Sequence, residues 1–235
     1  LNARQTGDHE AIGLRVTQRK FQEKQLSPEQ RKQVDSAIGD IIPLNSDAPL
    51  QWYFTPQFPS GSGIVLAKLK EFTTPNLIRF GFEGEQIVLN LTLKGFSTSW
   101  ARLPNYLSMI IVGFPANSEG DIVERASRFL FREANRKPFA EIVSGKTEYI
   151  DESMKDILNA GRMSPSSFNR QPWRFEILDR NSIAIHGWKK IPLIYEDVIS
   201  IDLGVVISHM YLMAKSMNDD AKVEPISLRS YLLTF

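Results

Sequence analysis

Between Met163 and Phe175 the chain sets Ser164, Ser166, Ser167, Asn169 and Gln171 among two prolines, Pro165 and Pro172, at the end of an apparent helix. Proline fixes φ, and serine and asparagine side chains bond nearby backbone groups, so the segment predicts a rigid, shaped turn. Such a turn can grip a flat polar ligand; a helix end turning into a strand would use the same prolines. Near the start, Arg15-Val16-Thr17-Gln18-Arg19-Lys20-Phe21 puts Arg15, Thr17, Arg19 and Phe21 on one side if the segment is extended. Two guanidiniums flanking a hydroxyl suit a phosphate, because arginine offers forked donors to its oxygens; a solvated charged segment reads the same way. Arg136 and Lys137 form a second basic pair, suited to an anion or to the C-terminal end of a helix. Gly95-Phe96-Ser97-Thr98-Ser99-Trp100 predicts a hydroxyl-rich turn with backbone N–H groups open to a ligand, or a helix cap anchored by Trp100.

Other chemistries are excluded by what the chain lacks. With no cysteine there is no disulfide, thiolate metal site, cysteine nucleophile or iron–sulfur cluster. His9, His186 and His209 have no zinc-site spacing, and His209, in an apolar run, reads as a hydrogen-bonded core residue. No Ser-His-Asp set, Walker-type loop or Rossmann glycine motif is present. The 28 basic and 27 acidic residues leave a net charge of +1, so anion binding must come from local clustering and no nucleic-acid partner is implied. The polar stretch 1–13 has no apolar secretory segment, and runs such as Tyr106 to Ala116 fall short of the roughly 20 residues that span a bilayer. A cytoplasmic protein without a membrane partner is expected.

The elements that must position these groups are legible in outline. Ser27-Pro28-Glu29-Gln30 is a capping box with proline at the first helical position, and Val34, Ile38, Ile41 and Ile42 continue one face until Pro43. Strands are predicted over 51–58 and 63–70 around the Pro59-Ser60-Gly61-Ser62 turn, then a helix over 84–94 with Gly95 as its stop. A short buried strand follows at 110–113, and Asp121 opens a helix reaching Ala134. Asp151 opens another helix, carrying Met154, Ile157 and Leu158. Strands 175–178 and 183–186 flank the Asp179-Arg180-Asn181-Ser182 turn, and a helix apolar on all sides covers 200–217. Helix, hairpin and apolar helix thus occur twice, with Gly84-Glu85-Gln86-Ile87 and Gly204-Val205-Val206-Ile207 in similar places. The two central helices are expected to pack together in one interlocked α+β domain.

Taken together, these segments resemble the FMN-dependent nitroreductase family, and most closely its branch in which one chain carries two nitroreductase-like halves. The family's Arg-x-Ser-x-Arg-x-aromatic pattern is similar to Arg15–Phe21, with Leu26-Ser27-Pro28-Glu29 after it. Gly-Leu-Gly-Thr-Cys-Trp resembles Gly95–Trp100, Gly-Tyr-Pro resembles Gly113-Phe114-Pro115, and Arg-Lys-Pro resembles Arg136-Lys137-Pro138. Ala-Pro-Ser-x-x-Asn-x-Gln-Pro-Trp-x-Phe matches 164–175 nearly letter for letter, and the branch's Asp-x-Gly-Ile helix with a following histidine resembles Asp202-Leu203-Gly204-Val205 and His209.

The resemblance implies a three-layer α/β/α sandwich, with two pseudo-symmetric halves forming an internal pseudo-dimer. It implies a single domain over 14–217, with halves of approximately 14–145 and 146–235. Arg15, Thr17 and Arg19 would hold the FMN phosphate and ribityl chain, with Arg136 and Lys137 completing the phosphate site. Pro165, Ser166, Ser167 and Asn169 would approach from the opposite half, and Ser97, Thr98 and Trp100 would line the ring. Thr17 stands where the family has serine and Ser99 where cysteine is common. The implied reaction passes hydride from NADH or NADPH through FMN to a nitroaromatic, quinone or similar small acceptor. No catalytic side chain and no metal ligand is implied. The second half has no Arg-x-Ser-x-Arg segment, so one FMN per chain is expected, in a monomeric pseudo-dimer or a homodimer. The alternative is a flavin-binding sensor, carrier or assembly protein with little turnover.

Overall fold

The computed structural model describes residues 3–44, 48–56, 62–102, 108–116, 135–188 and 196–235. Helix α1 (Ala3–Leu14) leads into an extended segment and helix α2 (Pro28–Gly39). Strands β1 (Gln51–Pro56) and β2 (Gly63–Lys68), helix α3 (Thr74–Leu93) and strands β3 (Ser97–Arg102) and β4 (Ser108–Gly113) follow. A second series starts with a short helix α4 (Phe139–Ile142), strand β5 (Val143–Gly145) and helix α5 (Glu152–Met163). It continues with β6 (Trp173–Asp179), β7 (Ser182–Gly187), helix α6 (Glu196–Met217), β8 (Lys222–Ser227) and β9 (Ser230–Thr234).

One sheet has the order β1-β2-β4-β3 and the other β5-β6-β7-β9-β8. With β5 set aside as a parallel addition to β6, both sheets follow one path: a hairpin, a long helix, then a second hairpin whose later strand lies inside. In the sheet β1-β2-β4-β3 the inner position falls to β4 and in the other to β9, so the repeat of pattern in the sequence is a repeat of topology.

Between the sheets, α3 and α6 meet more extensively than any other pair of described elements. Their approach is backbone to backbone. A Cβ on Gly81 would overlap the Ile201 carbonyl oxygen, and a Cβ on Gly204 would overlap that of Ile78. Each helix thus offers a glycine to the carbonyl three residues before the other's glycine, a reciprocal arrangement. The sequence paired Gly84 with Gly204; the packing pairs Gly81 with it instead, and Gly84 makes room for the Trp52 and Trp100 rings. Helix α6 is long and apolar enough to cross a membrane, but 89% of that stretch is buried in the protein core. Its neighbours there include Phe82, Leu158, Phe175 and Ile185. A second apolar cluster joins Trp52, Phe54, Phe80 and Ile110 around α3.

Several elements differ from expectation. The capping box at Ser27 is present, but α2 ends at Gly39. Ile41 and Ile42 leave the helix because the Gln86 amide captures the Ile42 backbone, accepting from its N–H at 2.8 Å and donating to its carbonyl at 2.9 Å. Helix α3 begins at Thr74, ten residues before the expected start, because Pro75 fits a first turn and the glycines mask the period. Its end is as expected: Gly95, at φ 80°, donates to Thr92 while Phe96 donates to Leu91, closing a Schellman motif. The segment after it is not a turn. Ser97–Arg102 is a strand paired antiparallel to β4, so the ladder takes backbone groups that the turn reading left to a ligand. Helix α6 starts at Glu196, and α1, β8 and β9 were not anticipated. Pro225 lies in β8, where an edge position tolerates the missing N–H. The Asp151 cap is as read, accepting from Met154 N at 2.9 Å. The expected helix over 121–134 and most of the 59–62 turn lie outside the described residues.

Candidate functional site

A cleft of about 890 Å³ opens where the extended N-terminal segment, β3, α6 and the 163–175 turn converge. After α1 the chain runs extended, held to β3 by Gln18 N donating to Thr98 O at 2.9 Å. Arg15, Thr17 and Arg19 reach the cleft as the alternation predicted, but Val16 lines it too and Phe21 pairs with Pro115 instead. Arg15 is buried; its Nη1 donates to Thr17 Oγ1 at 3.3 Å, and its Nε lies 3.5 Å from Glu85 Oε1. Burial pushes the Arg15 guanidinium below its ordinary range, and Glu85 offsets part of that.

Glu85 is the hub beneath the cleft. It is fully buried on α3, takes a hydrogen bond from Trp100 Nε1 at 2.7 Å, and takes another from His209 Nε2 at 2.9 Å. Burial alone would raise its carboxyl, but the His209 bond and charge, Arg15 and Trp100 outweigh burial and hold it below the usual range. One carboxylate therefore ties α3, α6, β3 and the N-terminal segment together. His209 is the hydrogen-bonded core residue the sequence suggested. His186 bonds Ser230 and Glu176 instead, and does not line the cleft.

Across the cleft, Arg136 donates from Nη1 to Asn169 Oδ1 at 2.9 Å and from Nη2 to the Met163 carbonyl at 3.0 Å. Burial, then repulsion from Arg15 and Arg162, lowers its guanidinium to about 10. Its Nε is buried without a partner among the described residues. Guanidiniums that repel one another in a part-buried cleft fit an anion at that point.

The 163–175 turn has a defined, hydrogen-bonded shape of the kind its sequence suggested. Phe168, Asn169 and Gln171 have φ of 55°, 54° and 49°, left-handed values that non-glycine residues rarely adopt. Gln171 holds this shape: its amide donates to Asn135 O and Asn169 O, each at 3.2 Å, and accepts from Lys137 N at 2.8 Å. Ser166 Oγ accepts from Gln171 N at 2.9 Å. From α6, Asp202 accepts from Ser167 N at 3.0 Å and from Ser167 Oγ at 3.2 Å. Asp202 is the one carboxylate among the described cleft residues, and burial raises it to about 7, against the Ser167 bonds and Arg170 and with help from Glu85.

Of the residues singled out from sequence, Arg15, Thr17, Arg19, Trp100 and Arg136 line the cleft, as do Pro165, Ser166, Ser167 and Asn169. Ser97, Thr98 and Lys137 do not. Thr98 is buried against the Arg15–Arg19 segment, Ser97 pairs with Gly113, and Lys137 Nζ turns to the Gln171 carbonyl at 3.1 Å. Ser99 takes their place, with Asn135, Ser108, Ile201 and Val205. The sequence reading missed Glu85, Gln171 and Asp202 as site builders. For the two acids a signal existed, since a carboxylate set within an apolar stretch of helix must find a partner.

A family model described as "Putative TM nitroreductase" matches residues 9–214. The crystal structure of a protein from Thermotoga maritima, likewise described as a putative nitroreductase, superposes with a TM-score of 0.73. At 24% identity, covering 97% of this chain and 93% of that one, it shows the shared fold. Comparison with curated proteins finds no match. The match over 9–214 and the shared α+β fold place this chain in the nitroreductase family that the model describes.

Proposed function

We propose that the cleft binds one FMN and that the chain is an oxidoreductase of the nitroreductase type, using NADH or NADPH to reduce a small, electron-poor acceptor such as a nitroaromatic or quinone. One observation carries this reading: Arg15, Arg19 and Arg136 converge with the left-handed 166–171 turn in a single cleft. The repulsion between Arg15 and Arg136 and the unpartnered Arg136 Nε suit the FMN phosphate. When bound, FMN supplies hydride chemistry that no described side chain in the cleft offers.

The chain's own residues bind, orient and exclude water. Arg15 and Arg136 hold the phosphate, with Arg19 at the exposed rim. Trp100, fixed by Glu85, and the Ile201 and Val205 side chains give the ring an apolar wall. Pro165, Ser166, Ser167 and Asn169 close the other side. In this reading the repeated topology serves as an internal pseudo-dimer, in which one chain supplies what two subunits supply elsewhere in the family. The test is direct. Purified protein titrated with FMN should bind it with measurable heat, and NADH or NADPH should bleach the bound chromophore anaerobically. Absence of binding heat rejects the reading; binding without bleaching leaves a flavin carrier or sensor and removes the oxidoreductase.

A further inference from the structure

The 166–171 turn stores strain that something must hold. Phe168, Asn169 and Gln171 are all left-handed without being glycine, and such positions persist only where the surroundings over-determine them. Two supports meet there. One is the set of bonds among Gln171, Arg136, Asn135, Asn169 and Ser166, which ties the turn to residues 135–136. The other support comes from α6: both carboxylate oxygens of Asp202 receive Ser167 N, at 3.0 and 3.1 Å, and Oδ1 also receives Ser167 Oγ. Asp202 is 5% exposed and shares the cleft wall with Ile201 and Val205.

We infer that Asp202 is a positioning residue whose ionised carboxylate, acting through Ser167, holds the 166–171 turn in its cleft-facing shape and so sets how tightly the turn closes on a bound flavin. The inference rests on the FMN reading for its ligand, not for its geometry. An ionised carboxylate accepts both Ser167 donors; a protonated one has a hydroxyl in place of one acceptor. The charged groups around it are Arg170 on the turn, Glu85 on α3, and Arg15 and Arg136 lining the same cleft. Arg170 favours ionisation and Glu85 opposes it. Burial places the changeover near neutrality, where a modest pH change alters the grip.

The test compares the wild-type chain with Asp202→Asn, an isostere that cannot ionise, and with Ser167→Ala, which removes one donor. In flavin-free protein, exchange protection of the Ser167 amide, corrected for intrinsic rates, should rise in the wild type between about pH 6 and about pH 8 and stay flat in Asp202→Asn. FMN affinity should tighten about tenfold over the same range in the wild type, the worth of one charge-assisted hydrogen bond, and lose that dependence in Asp202→Asn. Taking the difference between the two proteins removes the phosphate's own ionisation near about 6. Should Asp202→Asn fail to fold, Ser167→Ala carries the test, with a pH dependence of smaller amplitude. Identical pH profiles in wild type and variant overturn the inference, as does a change in FMN affinity that leaves Ser167 protection unmoved. Ser167 protection that follows Asp202 while FMN never binds supports the positioning role and rejects the FMN reading alone.

Discussion

Arg136 serves two purposes at once. It braces the strained turn through Asn169 and Met163, and its buried Nε has no hydrogen-bond partner among the described residues. Arg136→Ala is expected to weaken FMN binding by roughly 10- to 100-fold, the loss of a charged hydrogen-bond donor worth about 1.5–3 kcal/mol, measurable by calorimetry. Arg136→Lys should recover only part, since an ammonium cannot span two acceptors as the guanidinium fork does. Glu85→Gln removes the charge that balances Arg15 and His209 in a fully buried place. It should cost about 3–5 kcal/mol of stability, visible as a lower melting temperature, and loosen Trp100 and Arg15 together. Asp202 gives a pH signature of opposite character. Its carboxyl is raised from 3.8 to about 7 in the fold, so the folded state binds more protons than the unfolded chain between those values. That stabilising contribution is present at acid pH and lost as pH rises through about 7. The melting temperature of flavin-free wild type should therefore fall relative to Asp202→Asn from about pH 5 to about pH 8. The ionisation that tightens the turn thus weakens the fold as a whole.

At the scale of elements, the crossing of α3 and α6 governs where Glu85 and Asp202 sit. Gly204→Ala, or Gly81→Ala, drives a methyl into a backbone carbonyl that cannot step aside. Each should destabilise by about 1–3 kcal/mol or more, read as a lower denaturation midpoint, with flavin affinity falling as the helices part. The sequence revealed these helices as apolar and placed Gly95 correctly, because helix caps and buried faces are written in local letters. It misplaced the helix register, since Gly81 and Gly84 look alike until a second helix chooses between them. The 163–175 turn was legible because its prolines and the Ser166–Gln171 bond act locally, whereas its supports from Asn135, Arg136, Lys137 and Asp202 lie more than thirty residues away and were not. The Ser97–Arg102 strand was not legible, because its three successive hydroxyls, Ser97, Thr98 and Ser99, show no strand alternation and read as a turn until β4 pairs with them. Ile42 shows the same limit: Gln86, far along the chain, decides that it leaves the helix.

Across the whole molecule the near-zero net charge conceals a local imbalance, with three guanidiniums facing one carboxylate among the described cleft residues. The second half has no counterpart of the Arg15-x-Thr17-x-Arg19 segment, so calorimetric titration should give one FMN per polypeptide, and a stoichiometry of two would point to a second site that the repeated topology supplies. The cleft also draws its walls from stretches far apart along the polypeptide: residues 15–19, 135–136, 165–169 and finally 201–205. During synthesis the arginine-bearing segment is made long before α6 emerges to meet it. On the FMN reading, a ribosome-bound nascent protein halted ahead of residue 196 would carry all three of the proposed phosphate-binding arginines and yet capture no coenzyme. Acquisition of colour would then mark the emergence of α6, not of the arginine-bearing segment.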